Sequence, residues 1–375
     1  MKTKHRKLGD LVDLIDERNK SLVSTEVLGI SIDKEFMPSV ANTIGTDLSN
    51  YKLLKKNRFA CNPMHVGRDE RLPVSLYNKE IPAIVSPAYF MFEIADTKSV
   101  LPEYLMLNFK RADFDRNCWF RTDGSVRGGI TWEALCEIEL PILAIEKQQK
   151  IVDAYNAITK RIQIKQKINE KLEKTAQTLF ENVFKHELQK EEISFTDVID
   201  LLGGGTPSTA EKAYWSGNIP FFAPADIEKS IFCFSTEKNL TEEGLNNCSS
   251  KLYPKNTTFV TCRGTVGKLA LAGTPMAMNQ SCYALKDKNG QYPFFTYSFA
   301  KFTVSKLKNK ASGAVFSALV TKDFEMEKVF NPNLEKMKEY ETKSSSIFEN
   351  ISSNEKEIAK LQNLKQLIIS RISGM

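Results

Sequence analysis

The stretch IEKQQKIVDAYNAITKRIQIKQKINEKLEKTAQTLFENV, Ile145 to Val183, decides the fold. Read in alternating steps of four and three, it gives Ile151, Tyr155, Ile158, Ile162, Lys165, Asn169, Leu172, Ala176, Leu179 and Val183. Eight of these ten are apolar or aromatic, and the residues between them are mostly Lys, Glu, Gln, Asn and Thr. A 3.5-residue apolar repeat draws one narrow stripe along a helix, the seam of a coiled coil. Between Pro141 and Gly203 there is neither Pro nor Gly, so nothing there interrupts the helix.

The stripe occurs twice. At an offset of 189 it becomes Tyr340, Ser344, Ile347, Ile351, Asn354, Ile358, Leu361, Lys365, Ile368 and Ile372. Ile145-Glu-Lys147 becomes Leu334-Glu-Lys336, and Pro141 finds a counterpart in Pro332. A gapless self-match of about forty residues signals internal duplication. Each helix spans roughly 60 Å at about 1.5 Å per residue. Each has a narrow stripe to bury, and the obvious partner is the other.

Working outward, residues 1–143 read as a mixed α/β (α+β) globule, 144–190 as the first spacer helix, 191–331 as a second globule and 332–375 as the second spacer helix. The first globule opens on Leu8-Gly-Asp10-Leu11-Val12-Asp13-Leu14. Strand-like runs follow at Val27–Ile32 and Ile84–Ile94, then a helix at Leu101–Phe109, with Pro and Gly as punctuation. Phe195-Thr-Asp197-Val198-Ile199-Asp200-Leu201 repeats the opening at an offset of 187, and Phe59 with Val66-Gly67 matches Phe259 with Val266-Gly267 at an offset of 200. Matches in the same order as the helices imply a globule–helix–globule–helix chain with a pseudo-two-fold internal repeat. The helices are expected to pair antiparallel, because a compact globule carries the chain from the end of one to the start of the next.

Composition excludes several classes. The chain has 375 residues, 42% hydrophobic and 26% charged, with net charge +6 and pI ≈ 8.7. That is an ordinary soluble composition with a mild bias towards anionic partners. Seven Cys without a C-x-x-C pair argue for reduced thiols, against a zinc cluster. No apolar h-region follows the basic start and no run approaches about 18 apolar residues, so the expectation is a cytoplasmic protein with no membrane contact. Two similar globules held apart by a rigid spacer suit a long, repetitive ligand. Duplex DNA, read at two sites of fixed spacing, is the natural candidate.

The second globule carries the most specific pattern. Leu202-Gly203-Gly204-Gly205-Thr206-Pro207-Ser208, then Tyr214–Phe221 and Pro224-Ala225-Asp226-Ile227, resembles the opening of the target-recognition domains of type I restriction–modification specificity subunits. Thr261-Cys-Arg263-Gly264-Thr265-Val266-Gly267-Lys268 with Asn279-Gln280 resembles a second motif of those domains. The layout matches along the whole chain. The first globule lacks the Gly-Gly-Thr-Pro opening and has Asn62-Pro63-Met64-His65 where the second has Arg263-Gly264, as a domain reading a different half-sequence would. The resemblance implies a non-catalytic subunit that binds double-stranded DNA at a bipartite, asymmetric target. It also implies partners: two methylation subunits, with two restriction subunits added for cleavage. The complex would act as an adenine-specific DNA methyltransferase and ATP-dependent endonuclease.

Seven residues are the candidate DNA contacts. Thr206 and Ser208 offer hydroxyls in a Gly-rich loop, which could equally be only a turn. Arg263 and Lys268 flank a Gly-rich hairpin, where a cation grips guanine or phosphate or is merely solvated. Arg68 and Arg71 occupy the matching place in the first globule, and Arg127 lies beside Gly128. Lys306, Lys308 and Lys310 read as a solvated face, and Trp215 as packing. The seam is Ile151, Tyr155, Ile158, Ile162, Leu172, Leu179, Val183, Tyr340, Ile347, Ile351, Ile358, Leu361, Ile368 and Ile372. Lys165, Asn169 and Asn354 interrupt it, and Lys165 and Asn354 are equivalent under the repeat. They either set the register or mark a solvated middle.

No catalysis and no cofactor are expected in this chain. Gly264–Lys268 lacks the residues of a phosphate-binding P-loop. Asn62-Pro63-Met64 and Asn331-Pro332-Asn333 do not make an adenine methyltransferase motif, and Asp226-Ile-Glu228-Lys229 is a poor nuclease motif. Three scattered histidines, His5, His65 and His186, hold no metal. Two alternatives stay open: a specificity module for another DNA-modification system, and a coiled-coil scaffold with two protein-binding globules.

Overall fold

Asn333 starts the second long helix. Its Oδ1 accepts the N–H of Glu335 at 2.8 Å, the capping geometry that satisfies an otherwise orphaned donor. So the Asn-Pro-Asn sequence is a helix cap. A computed structural model describes residues 4–40, 45–64, 66–122, 128–227, 230–310 and 318–372. The long helices run from Ile145 to Val183 and from Leu334 to Arg371. The chain divides into two units, Met1–Arg161 with Leu361–Met375 and Ile162–Lys360, each holding a segment of both helices.

Within each unit the helices pair antiparallel. In the first, Lys365 lies 4.8 Å over the Tyr155 ring, and Val152, Tyr155, Ile369 and Ile372 join one core. In the second, Lys165 meets Asn354, while Tyr340 donates its hydroxyl to the Ala176 carbonyl at 3.2 Å and stands edge-on to Phe180. Numbers rise on one helix as they fall on the other. Every residue of both stripes is buried or half-buried. The polar interruption is linked by hydrogen bonds: Lys165 Nζ donates to Asn354 Oδ1 at 2.8 Å and pairs with Glu357 at 2.7 Å. Asn354 Nδ2 donates to Asn169 Oδ1 at 2.8 Å.

The helices also face their globules, through residues outside the stripe. Phe348 stacks on Phe294 at 4.7 Å, and Phe184 packs with Phe295 and Phe330. Buried polar side chains serve as clasps. Gln148 Oε1 accepts the Leu101 N–H at the start of helix Pro102–Phe109, while its Nε2 donates to the Ser99 and Leu143 carbonyls. Glu341 accepts the N–H groups of Phe294 and Phe295, at 3.1 and 2.9 Å, at the start of helix Pro293–Lys310. Both exploit the donors that a helix N-terminus leaves unsatisfied. Glu355 accepts from Ile231 and Phe232 at 2.8 and 2.9 Å.

The two globules share one topology. In the first, a four-stranded antiparallel sheet has the spatial order Val12–Leu14, Phe90–Ile94, Phe59–Cys61, Val74–Leu76. In the second the order is Ile199–Gly203, Cys282–Asp287, Thr258–Thr261, Leu269–Ala272, with Phe232–Cys233 added at the edge. Phe59 sits opposite Leu76 and Phe92; Phe259 sits opposite Ala270 and Ala284, in the same place. A smaller sheet repeats too. Val27–Ile30 pairs antiparallel with Phe36–Pro38 and parallel with Ala83–Val85, as Trp215–Phe222 does with Asn239–Leu240 and Ala277–Met278. Each globule is closed at its base by an antiparallel pair, Lys4–Lys7 with Glu139–Ile142 and Ile193–Ser194 with Lys328–Val329. The run Ile84–Ile94, expected as one strand, is two, because the Tyr89 N–H closes a turn onto the Ser86 carbonyl around Pro87, which has no N–H to lend a ladder.

Two tests follow from these contacts. Burial pushes Glu341 and Glu355 from the usual 4.5 up to about 7, outweighing the N–H groups that favour the charged form. The native carboxyls therefore hold protons that the unfolded chain has lost. Their contribution is fully present below the unfolded pKa and disappears as pH rises through about 7. Glu341→Gln with Glu355→Gln should flatten the fall of Tm between about pH 5 and 8; an unchanged profile refutes the assignment. At the seam, Asn354→Leu should cost about 1–3 kcal/mol by leaving polar groups of Lys165 and Asn169 unpaired. Adding Lys165→Leu should recover part of that while allowing more than one helix register, read by disulfide trapping across the seam.

Candidate nucleic-acid interface

In the second globule, Gly204 and Gly205 of the Gly203–Ser208 loop make room for the protein's own backbone. A Cβ on Gly204 would stand 2.2 Å from the Asn279 carbonyl oxygen, and one on Gly205 would stand 2.8 Å from the Ser249 nitrogen. The Gly205 N–H donates to the Met278 carbonyl at 3.1 Å, and Tyr253 donates its hydroxyl to the Gly203 carbonyl at 2.6 Å. The loop is clamped, and its exposed side chains are Thr206 and Ser208. Thr206 Oγ1 bonds Gln280 Oε1, while the Ser208 carbonyl accepts from Trp215 Nε1 at 3.1 Å. Trp215 is thereby fixed, edge-on to Phe221.

The same Asn279–Ser281 segment carries the hairpin. Strands Thr258–Thr261 and Leu269–Ala272 are joined through residues 262–268, and the Cys262 N–H donates to the Ser281 carbonyl at 2.8 Å. On the other side Leu319 donates to the Cys262 carbonyl at 2.9 Å, and Arg263 bridges Ala318. Thr261 Oγ1 accepts the Lys268 N–H and donates to the Thr265 carbonyl, closing the loop from within. Gly264 and Gly267 take positive φ values of 76° and 70°, which other residues adopt only with strain. The structure so brings Thr206, Gln280 and Arg263 to one rim. Arg263 and Lys268 are exposed, with no carboxylate partner among the described residues.

The first globule is built differently at the equivalent place. Residues 62–73 replace the short hairpin loop and include the helical turn Val66–Asp69. Asn62 Oδ1 accepts the Met64 N–H at 3.1 Å, so the Asn-Pro-Met sequence is a turn. Ile130 donates to the Pro63 carbonyl, as Leu319 does to Cys262, and Gly67 donates to Gly128. Arg68 is held bidentate by Asp69 at 2.7 and 2.9 Å, and Arg71 lies 3.4 Å from Asp33. Both pairs are exposed, so solvent screening leaves them little weight. Arg127 and His65 lie outside the described residues. Four further cations of this globule meet protein groups: Lys52 donates to the Tyr89 carbonyl, Lys55 and Arg58 converge on Glu17, and Lys56 pairs with Glu80.

The Lys306–Lys310 run separates into distinct roles. Lys306 pairs with Glu191 at 2.8 Å; Lys308 Nζ donates to the Gly267 carbonyl at 2.7 Å. The side chain of Lys310 is outside the described residues. Among the described residues no group of three His, Cys, Asp or Glu could hold a metal ion, and no helix is long and apolar enough to cross a membrane. Burial pushes the Cys61 and Cys262 thiols up to about 12, far from a nucleophilic thiolate.

The model of the family described as type I restriction modification DNA specificity domain matches this chain twice, over residues 2–174 and 188–367. The chain belongs to that family. The specificity subunit of the type I restriction enzyme HindI from Haemophilus influenzae is 23% identical over 402 aligned positions, 86% of each chain. The MjaIX specificity subunit of Methanocaldococcus jannaschii is 35% identical over 127 residues, 33% of this chain and 29% of that one. Among solved structures, the type I restriction–modification S subunit of M. genitalium shares the fold, with a TM-score of 0.62 at 12% identity over 99% of this chain and 96% of that one. Type I specificity subunits are non-catalytic members of restriction–modification systems that recognise DNA. The two family matches cover the two globule–helix repeats of the fold.

The clamp on the Gly-rich loop is testable without DNA. Gly204→Ala forces a methyl against two carbonyl oxygens and should cost about 1–3 kcal/mol as overpacking. It should also release Thr206 from Gln280, read as faster amide exchange across 203–208. An unchanged Tm and exchange pattern refutes the clamp.

Proposed function

We propose that this chain reads a bipartite, asymmetric sequence in double-stranded DNA, with residues 1–143 taking one half and residues 191–331 the other. The observation that supports this best is the repetition of one sheet order with different connections at its edge. A shared scaffold presents residues 62–73 in one globule and the hairpin 262–268 in the other. Equal scaffolds with unequal reading elements suit a target whose halves differ.

Arg263, Lys268, Thr206 and Ser208 are the contacts proposed for the second half, and Arg68, Arg71 and Arg127 for the first. A side chain gripping a base edge contributes about 1–3 kcal/mol of discrimination. Phosphate contacts add affinity that falls with salt. The long helices, residues 144–190 and 332–375, would set the unread gap and offer polar faces on which two methylation subunits dock, with two restriction subunits joining for cleavage. The chain itself would take no cofactor and work in the cytoplasm.

The test is the host methylome. Residues 191–331 are replaced by the corresponding domain of another family member, and the methylated motif is read before and after. One half of the motif should change while the other half and the gap stay fixed. If both halves change, or methylation continues at the original motif, the division of labour is wrong.

A further inference from the structure

Lys308 carries an arrangement that folding alone does not explain. It belongs to the helix Pro293–Lys310, yet its stem runs to the hairpin, where a Cβ on Gly267 would stand 2.6 Å from its Cε. Position 267 favours glycine for its φ of 70°, and the Lys308 stem packs against it. One of the three ammonium donors goes to the Gly267 carbonyl. The others have no protein acceptor among the described residues.

The next residue in the hairpin is Lys268, and both lysines line the same concavity of about 340 Å³. The acid that shares this lining, Glu173, is held by Lys301. Neither Lys268 nor Lys308 has a carboxylate partner among the described residues. Lost hydration and then the charge of Lys268 hold the Lys308 ammonium below the usual lysine range. Two like charges gathered at one concavity oppose one another in the free protein. An anion with several oxygens relieves that repulsion.

We infer that Lys308 and Lys268 form a seat for one backbone phosphate of the duplex beneath the Arg263 hairpin. This deepens the DNA-reading function proposed above and rests on it. Phosphate contacts fix the register of a reading element on the duplex, and base contacts then specify. One hairpin here carries both parts, with Arg263 near the start of residues 262–268 and Lys268 at their end. The first globule has no such seat among its described residues: Gly67 is followed by Arg68, already bound to Asp69, and the helix Ala112–Phe120 ends in Trp119 and Phe120 instead of lysine. A DNA phosphate is favoured over an acidic protein surface because the seat adjoins the unpaired Arg263.

The experiment uses the full chain and a random duplex of roughly 40 base pairs, since phosphate contacts are sequence-independent. Affinity is measured across salt for the wild type, Lys268→Met, Lys308→Met, the double variant and Lys308→Arg. The double variant should lower the slope of log affinity against log salt by about 0.9, one phosphate contact, with each single variant accounting for part of it. Lys308→Arg should keep the wild-type slope. Lys268→Met, which breaks no hydrogen bond of that side chain, should leave the Tm of the free protein unchanged or raised. Salt-sensitive wild-type binding with an unchanged slope in the double variant overturns the seat and leaves the DNA reading standing. If the slope is unchanged but co-purification with the methylation subunit is lost, the seat takes an acidic protein surface instead, and the proposal fails. No wild-type binding at low salt removes the DNA reading itself.

Discussion

The structure depends on each long helix burying two faces at once. One face is the narrow stripe that meets the other helix; the second, offset around the cylinder, meets a globule. A two-helix seam alone leaves most of a helix surface in water, and marginal isolated helices draw their stability from tertiary packing. Here Phe180, Phe184 and Phe348 add aromatic area on the second face, and Gln148, Glu341 and Glu355 tie it to backbone N–H groups of the globules. The globules are therefore clasped to the helices by directional bonds as well as by apolar contact. Directional bonds to backbone define orientation in a way that apolar contact, which is non-directional, does not.

Duplication explains how one chain obtains two such assemblies, and the two copies differ in particular places. The sheet order and the base strands are kept. The connections at the far edge are not: a helical turn with acid-bound arginines stands where the second globule has a glycine hairpin with unpaired cations. Loops held by a rigid scaffold tolerate change and carry specificity. The conserved part fixes where a reading element sits, and the variable part decides what it reads.

Much of this was legible in the residues. The 3.5-residue stripe and its recurrence at 189 give both long helices, because an uninterrupted helix pattern of this length has few other meanings. The opening segments and the Phe59–Phe259 correspondence give the repeat of the globules. What was not legible is the second buried face. Glu341 and Glu355 look like solvent residues in a charged helix until the N–H groups they accept from are placed opposite them. The glycines at 204 and 205 look like room for a phosphate, yet the room is filled by the protein's own carbonyls. Lys308 hides in a run with Lys306 and Lys310, since sequence spacing does not tell which lysine meets an acid and which meets a hairpin.

The Lys165–Asn354 contact has a further meaning for how the two halves relate. Residues that are equivalent in two antiparallel repeats meet at the local symmetry axis, and these two touch at 2.8 Å. In a dimer of identical half-length chains, whatever stands at that point must face its own copy. Asparagine can exchange bonds with asparagine, whereas lysine facing lysine only repels. Joining the halves in one polypeptide lifts that rule, and an unlike pair, donor against acceptor, becomes available at the axis. The link between the halves thus opens a heterotypic centre that favours one half meeting the other over either meeting itself.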